Sequence, residues 1–195
     1  MAEAQGRKAA GDRVEEIITA TEARIAATGV LPVSMSEVAK EAGVSRTLLY
    51  LYFADPQSLI DEVAYRHLGL VKTILGDGQA DTLSPNALFQ MADRYLDYLI
   101  TRGAVLRYIF REQGQGLSLS LRTLALRNAL MRKLARISNQ LLGLEPRDTY
   151  VLAELLTAVP EELARLVNEE GLGKDIAHRT SDRLIRDALK PMLEG

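Results

Sequence analysis

Apolar residues recur along this chain with the period of a helix in nearly every segment, and strand-like alternation is almost absent. Val14, Ile17, Ile18, Thr21 and Ile25 fall at i, i+3, i+4, i+7 and i+11. They predict a first helix over roughly 12–28, closed by Gly29, with the small and polar residues 1–11 outside it. Pro32 marks the connector. Residues 34–53, SMSEVAKEAGVSRTLLYLYF, then read as two short helices, near 35–42 and 45–52, joined by a tight turn. Ser34 and Glu37 have the S-x-x-E spacing of a capping box. Val38, Ala39 and Ala42 give the first of these helices a narrow apolar face. Gly43 is suited to the left-handed conformation that ends a helix, and Ser45 to capping the next one. Leu49 and Phe53 are its inward positions.

Pro56 after Asp55 starts a fourth helix, which Leu59, Ile60, Val63, Ala64, His67, Val71 and Ile74 carry to about 75. The segment GDGQADTLSP (76–85) reads as a loop and the best boundary candidate. Leu88, Met91, Ala92, Tyr95 and Leu99 mark a fifth helix, which Gly103 separates from a short sixth at about 104–112. QGQG (113–116) breaks the pattern before a seventh helix at roughly 117–142. GLEP (143–146) turns the chain into helices eight (147–169) and nine (175–193), separated by Gly171 and Gly173. Pro160 lies inside helix eight and should kink it, because it removes a backbone donor. The expected fold is therefore all-α. It comprises an N-terminal three-helix helix-turn-helix domain, 1–55, and a C-terminal helical domain, 56–195, about nine helices in all.

Composition changes this picture little. The 195 residues are 47% hydrophobic and 26% charged, an ordinary globular balance. The absence of cysteine excludes disulfides, thiolate nucleophiles and Cys-ligated zinc, and it fits a reducing cytoplasm, the expected location. No N-terminal apolar segment resembles a signal peptide, and no apolar run approaches the ~18–20 residues that span a bilayer, so no membrane partner is expected. Residues 1–53 hold six bases against seven acids, which argues against strong non-specific binding of nucleic acid by bulk charge. Residues 102–136 hold eight bases and one acid, whereas 145–175 hold eight acids and three bases. Helices six and seven either pair with helix eight, face water, or offer an arginine to an anionic ligand. Arg107 and Arg111, four apart, are the most suggestive pair; they could instead bond Glu15, Glu16 or Glu22. Catalysis is not expected: H-E-x-x-H, G-x-S-x-G, the phosphate-binding G-x-x-x-x-G-K-[ST] and G-x-G-x-x-G are all missing. The pairs Glu161–Glu162 and Glu169–Glu170 point to different helix faces and make no metal site, and no cofactor is implied.

The pattern I17-I-x-A20, G29, S34, V38-A39, A42-G43-V44-S45, L49-Y50, Y52-F53 and L59 resembles the TetR family of bacterial transcription regulators. The resemblance covers roughly 14–59; beyond it only helix number and lengths agree. It implies a homodimer with two DNA-binding heads on a palindromic double-stranded operator. It also implies a helical body with a pocket for a small-molecule effector, and a repressor function. Carried over residue by residue, Ser34 and Ser36 would lie where a helix abuts the DNA backbone. Ser45, Arg46 and Thr47 would enter the major groove, and Tyr50 and Tyr52 would contact phosphates or base edges. Leu48 and Leu51 stand where the family usually has polar residues; each either touches thymine methyls or packs. Pro56 replaces the usual Lys at the start of helix four, removing one phosphate contact. The effector candidates are His67, Tyr95, Tyr98, Arg107, Tyr108 and Phe110. The expected four-helix dimer interface uses Leu152, Leu155, Leu163, Leu184, Ile185 and Leu189. The competing function is a helical module whose C-terminal body binds a partner protein.

Overall fold

The computed structural model describes residues 2–76, 84–112 and 116–193. Its elements are α1 (Ala2–Thr28), α2 (Met35–Glu41), α3 (Arg46–Tyr52), α4 (Pro56–Ile74), α5 (Pro85–Tyr98), a π-helical turn (Leu99–Gly103), α6 (Ala104–Glu112), α7 (Leu121–Leu142), α8 (Pro146–Glu170) and α9 (Lys174–Leu193). No strand occurs among the described residues, and the all-α expectation holds. Residues 77–83 and 113–115, within the two segments read as breaks, lie outside the described residues.

Three boundaries differ from the sequence reading, each for a local reason. The first helix begins at Ala2, not near 12. Ala2, Ala4, Gln5, Arg7, Lys8, Ala9 and Ala10 are strong helix formers, and two glycines at ~1 kcal/mol each do not outweigh them. Gly103 does not end a helix; α5 passes through the π-helical turn into α6 without a break. A Cβ at Gly103 would sit 2.6 Å from Leu99 Cδ2, so glycine is there to let Leu99 pack across it. The seventh helix starts at Leu121, four residues late. Leu117 and Leu119 are buried while Ser120 is exposed, a short period-two stretch that helical periodicity concealed. Ser120 caps α7, its Oγ accepting from the Thr123 amide at 3.3 Å.

The chain divides into two compact units, Met1–His67 with Val105–Thr123, and Leu68–Ala104 with Leu124–Gly195. The first thus extends past residue 55 and takes in most of α6. Its buried residues include Ile17, Ile18, Ile25, Val38, Leu49, Leu59, Ile60, Val63 and Ile109. Charged side chains tie its helices together. Arg24 of α1 donates to Glu37 and, at 2.8 Å, to Glu41 of α2. Arg66 of α4 reaches Glu15 of α1. Asp61 of α4 accepts from the amide and hydroxyl of Ser120, both at 2.8 Å. Arg122 pairs with Glu62 at 2.8 Å and lies 3.9 Å over the Tyr65 ring. Such exposed pairs contribute about 0.2–1 kcal/mol each, so they set register more than stability.

The second unit has a core of Leu88, Met91, Leu134, Ile137, Ala153, Leu156, Ile185 and Leu189. The α8 helix runs through the buried Pro160 to Gly171, which takes φ +74° as its cap. Polar contacts join α5 to the two last helices. Tyr95 donates to Glu161 at 2.9 Å, and His178 faces Asp93 at 2.6 Å and Asp97 at 3.1 Å. Burial, reinforced by Glu161, pushes the Tyr95 hydroxyl well above the ordinary phenol range, so it stays a donor.

Gly29 offers a sharp test of the first unit. It has φ +61°, and a Cβ there would lie 2.9 Å from Tyr108 Cε1 on α6. Gly29→Ala should cost about 1–3 kcal/mol through the left-handed backbone alone, with the displaced tyrosine adding to it. A thermal melt lowered by several degrees is the expected readout.

Candidate nucleic-acid interface

The candidate interface is built on α2 and α3, each only seven residues long. Helices this short do not hold themselves together in water, so tertiary anchoring must fix them. Met35, Val38 and Ala39 bury one side of α2, and Leu49 buries α3. Between them Gly43 takes φ +66°, as expected, and the Val44 amide donates back to the Ala39 carbonyl at 3.0 Å. Ser45 then caps α3 as predicted, its Oγ accepting from the Leu48 amide at 3.1 Å.

The capping box at Ser34 is not formed. Ser34 sits at the N-cap of α2, but its side chain makes no capping hydrogen bond. Its carbonyl accepts from the Glu37 and Val38 amides instead, at 3.1 and 3.0 Å. Glu37 is drawn outward to Arg24, thirteen residues earlier in the chain and across from it on α1. A long-range ion pair has taken the residue that the local motif assigned to the cap.

With the apolar side fixed, the opposite side of the unit faces solvent. Ser34 and Ser36 are exposed at the start of α2, and Ser45, Arg46 and Thr47 at the start of α3. One turn on, Tyr50 is 45% and Leu51 77% exposed. Leu48 and Tyr52 are half-buried at the edges of this face. The arrangement presents one guanidinium, several hydroxyls and two large side chains on one surface. Arg pairs bidentately with guanine, and hydroxyls hold phosphates. At the neighbouring start of α4, Asp55 caps through Oδ1 to the Ser58 amide at 2.7 Å, with Pro56 in the first turn.

The other expected site residues are dispersed. His67, Arg107, Tyr108 and Phe110 belong to the first unit, Tyr95 and Tyr98 to the second. His67 is buried with Nε2 3.3 Å from Glu22. The Tyr108 ring carries Arg107 and Arg111 at 4.6 and 5.2 Å from its centroid. Glu15 and Glu16, two of the acids considered for those arginines, pair with Arg66 and Arg13. Tyr95 and Tyr98 stack, ring centroids 6.2 Å apart. Of the expected interface leucines, Leu155 and Leu184 are exposed and Leu152 is half-buried against the core. Leu163, Ile185 and Leu189 are buried within their own chain and have no surface to offer a partner, which corrects that expectation. Both helices carry two apolar stripes, and periodicity alone does not say which turns inward. The outward ones are Tyr150, Val151 and Leu155 on α8, and Ile176, Leu184 and Met192 on α9.

Fold and site thus define a helix-turn-helix protein with a helical body. Residues 17–63 match the family model described as bacterial regulatory proteins, tetR family. A curated relative from Haemophilus influenzae, an uncharacterized HTH-type transcriptional regulator, is 38% identical over 60 residues, which are 31% of this chain and 32% of the relative. The match therefore spans about a third of that relative's length. A TetR-like transcriptional regulator from Rhodococcus sp. RHA1 superimposes with a TM-score of 0.70 at 19% identity, covering 91% of this chain and 96% of that one. A tetR-family transcriptional regulator from Streptomyces coelicolor gives 0.67 at 20% identity, over 91% and 78%. Residues 17–63 are therefore similar to the DNA-binding segment of tetR-family regulatory proteins, and the fold of the described residues is that of the TetR-like structures. No helix among the described residues is long and apolar enough to cross a membrane.

Only one of the two serines should respond to truncation. Ser45→Ala removes a formed cap and should cost about 1 kcal/mol. Ser34→Ala removes none and should leave stability unchanged within a few tenths. Urea unfolding of the two variants measures the contrast.

Proposed function

We propose that the chain is a homodimeric, sequence-specific DNA-binding transcriptional repressor in the cytoplasm. Its domains would be a DNA-binding head, 1–55, and a ligand-binding and dimerisation body, 56–195. The observation that carries the reading is the solvent face of α3, where Arg46, Thr47 and Tyr50 stand out while Leu49 anchors the helix from behind. Two heads would occupy half-sites of a palindromic operator in successive major grooves, ~34–36 Å or a multiple apart. Arg46 is the candidate for guanine, Ser45, Thr47 and Tyr50 for phosphate or base edges, and Ser34 and Ser36 for the flanking backbone. The outward apolar stripes of α8 and α9 support dimerisation, with Leu155 and Leu184 at their centres.

Release would follow a population shift: a small hydrophobic or anionic effector prefers a body conformation in which α4 and α6 have moved, and operator affinity falls by that preference. Two features favour this route. The α4 helix contributes residues to both compact units, and α6 lays Tyr108 against Gly29 at the end of α1. Arg107 and Arg111, which lie over the Tyr108 ring on α6, are the candidate cations for an anionic effector.

Footprinting of the purified chain on DNA around its own gene, at low salt and at ~150 mM, tests the reading. A protected inverted repeat that survives the salt supports it; protection that vanishes shows backbone binding alone. Arg46→Ala should then weaken operator binding by about 10- to 100-fold per half-site, the worth of one bidentate base contact, without lowering the melting temperature. Leu155→Arg or Leu184→Arg should give monomers by sedimentation with helix content retained, whereas Leu189→Arg should unfold the body.

A further inference from the structure

We infer that Leu51 reads the C5-methyl group of a thymine in the major groove, making it a sequence-determining residue of the proposed interface. The inference rests on the DNA-binding reading above and goes beyond it by naming the base and the atom. Leu51 is 77% exposed, on a helix that Leu49, fully buried, anchors from the opposite side. Leu48, the alternative apolar reader, is half-buried and so has less surface to give. In a seven-residue helix, positions 47 and 51 are one turn apart, as are 46 and 50. Thr47 and Leu51 therefore share a face, flanked by Arg46 and Tyr50.

A single exposed leucine on a protein surface is commonplace and by itself means nothing. Leu121, at 86% exposure, is such a case: it stands at the start of α7 beside Arg122, whose guanidinium is held by Glu62 and Tyr65. Leu51 differs in its setting. Its neighbours are the hydrogen-bonding side chains that would face base edges, and an aliphatic group among them can gain only from an apolar partner. In the major groove of B-DNA the one apolar group on a base edge is the thymine methyl. Burying that methyl against an otherwise solvated leucine removes two apolar surfaces from water at once.

The test begins with selection of a preferred duplex from a random library by the full chain. Each thymine of the half-site is then replaced singly by deoxyuridine, which pairs identically but lacks the methyl. One substitution should weaken binding about fourfold per half-site, the worth of one buried methyl. Leu51→Ala should bind the thymine and uracil duplexes equally, at an unchanged melting temperature. If no thymine is sensitive, or if Leu51→Ala retains the same loss, the assignment is overturned while sequence-specific binding stands. If the chain selects no duplex at all, the DNA-binding reading falls and the assignment with it.

Discussion

The whole N-terminal face depends on one constraint: a seven-residue helix cannot be stable unless something outside it holds one side. In α3 that hold is provided by Leu49 in the core, Ser45 at the cap and Gly43 in the turn before it. Because these positions supply the anchoring, Arg46, Thr47, Tyr50 and Leu51 are released from any packing duty. The α2 helix is secured in turn by Arg24, which grips Glu37 and Glu41 from α1. The orientation of the outward side chains is thus decided by the inward ones. A substitution at Leu49 would disturb every exposed residue of α3, while one at Leu51 would disturb none.

Local signals were legible where the chain solves a problem within a few residues. Gly43, Ser45 and Pro56 each do what their chemistry dictates at a helix end, and the structure places them so. The signals failed where a distant partner competed. Glu37 had the right spacing for a cap, but an arginine thirteen residues earlier in the sequence offered it a full charge. Gly103 looked like a terminator because glycine is a poor helix former, yet the need to accommodate Leu99 explains it better. Leu117 and Leu119 fit a helical pattern in the sequence because two leucines are too few to announce period two.

The same limit governs α8 and α9. Each has more apolar residues than one face can hold, and sequence periodicity cannot rank the faces. Ile185 and Leu189 lie inside, Leu184 and Met192 outside, although all four sit within nine positions of one helix. The core of the second unit takes the inner stripe. An outer stripe on two adjacent helices is what a symmetric helical interface would require, and it is why the proposed dimer rests on Leu155 and Leu184 and no longer on the buried leucines.

The charge of residues 1–53 bears on how the proposed interface would discriminate. Among residues 1–53 the acids outnumber the bases by one, and Arg13 and Arg24 are already bound to glutamates. Counter-ion release scales with the number of phosphates neutralised by cations, so a head of this balance gains little affinity that is blind to sequence. What remains is the specific chemistry of a few side chains: a guanidinium, hydroxyls and an exposed leucine. Such a head would be weak on arbitrary DNA, and two of them acting together would be needed to hold one site. Dimerisation and base reading would then be parts of one requirement, since low bulk charge would leave the proposed regulator dependent on both.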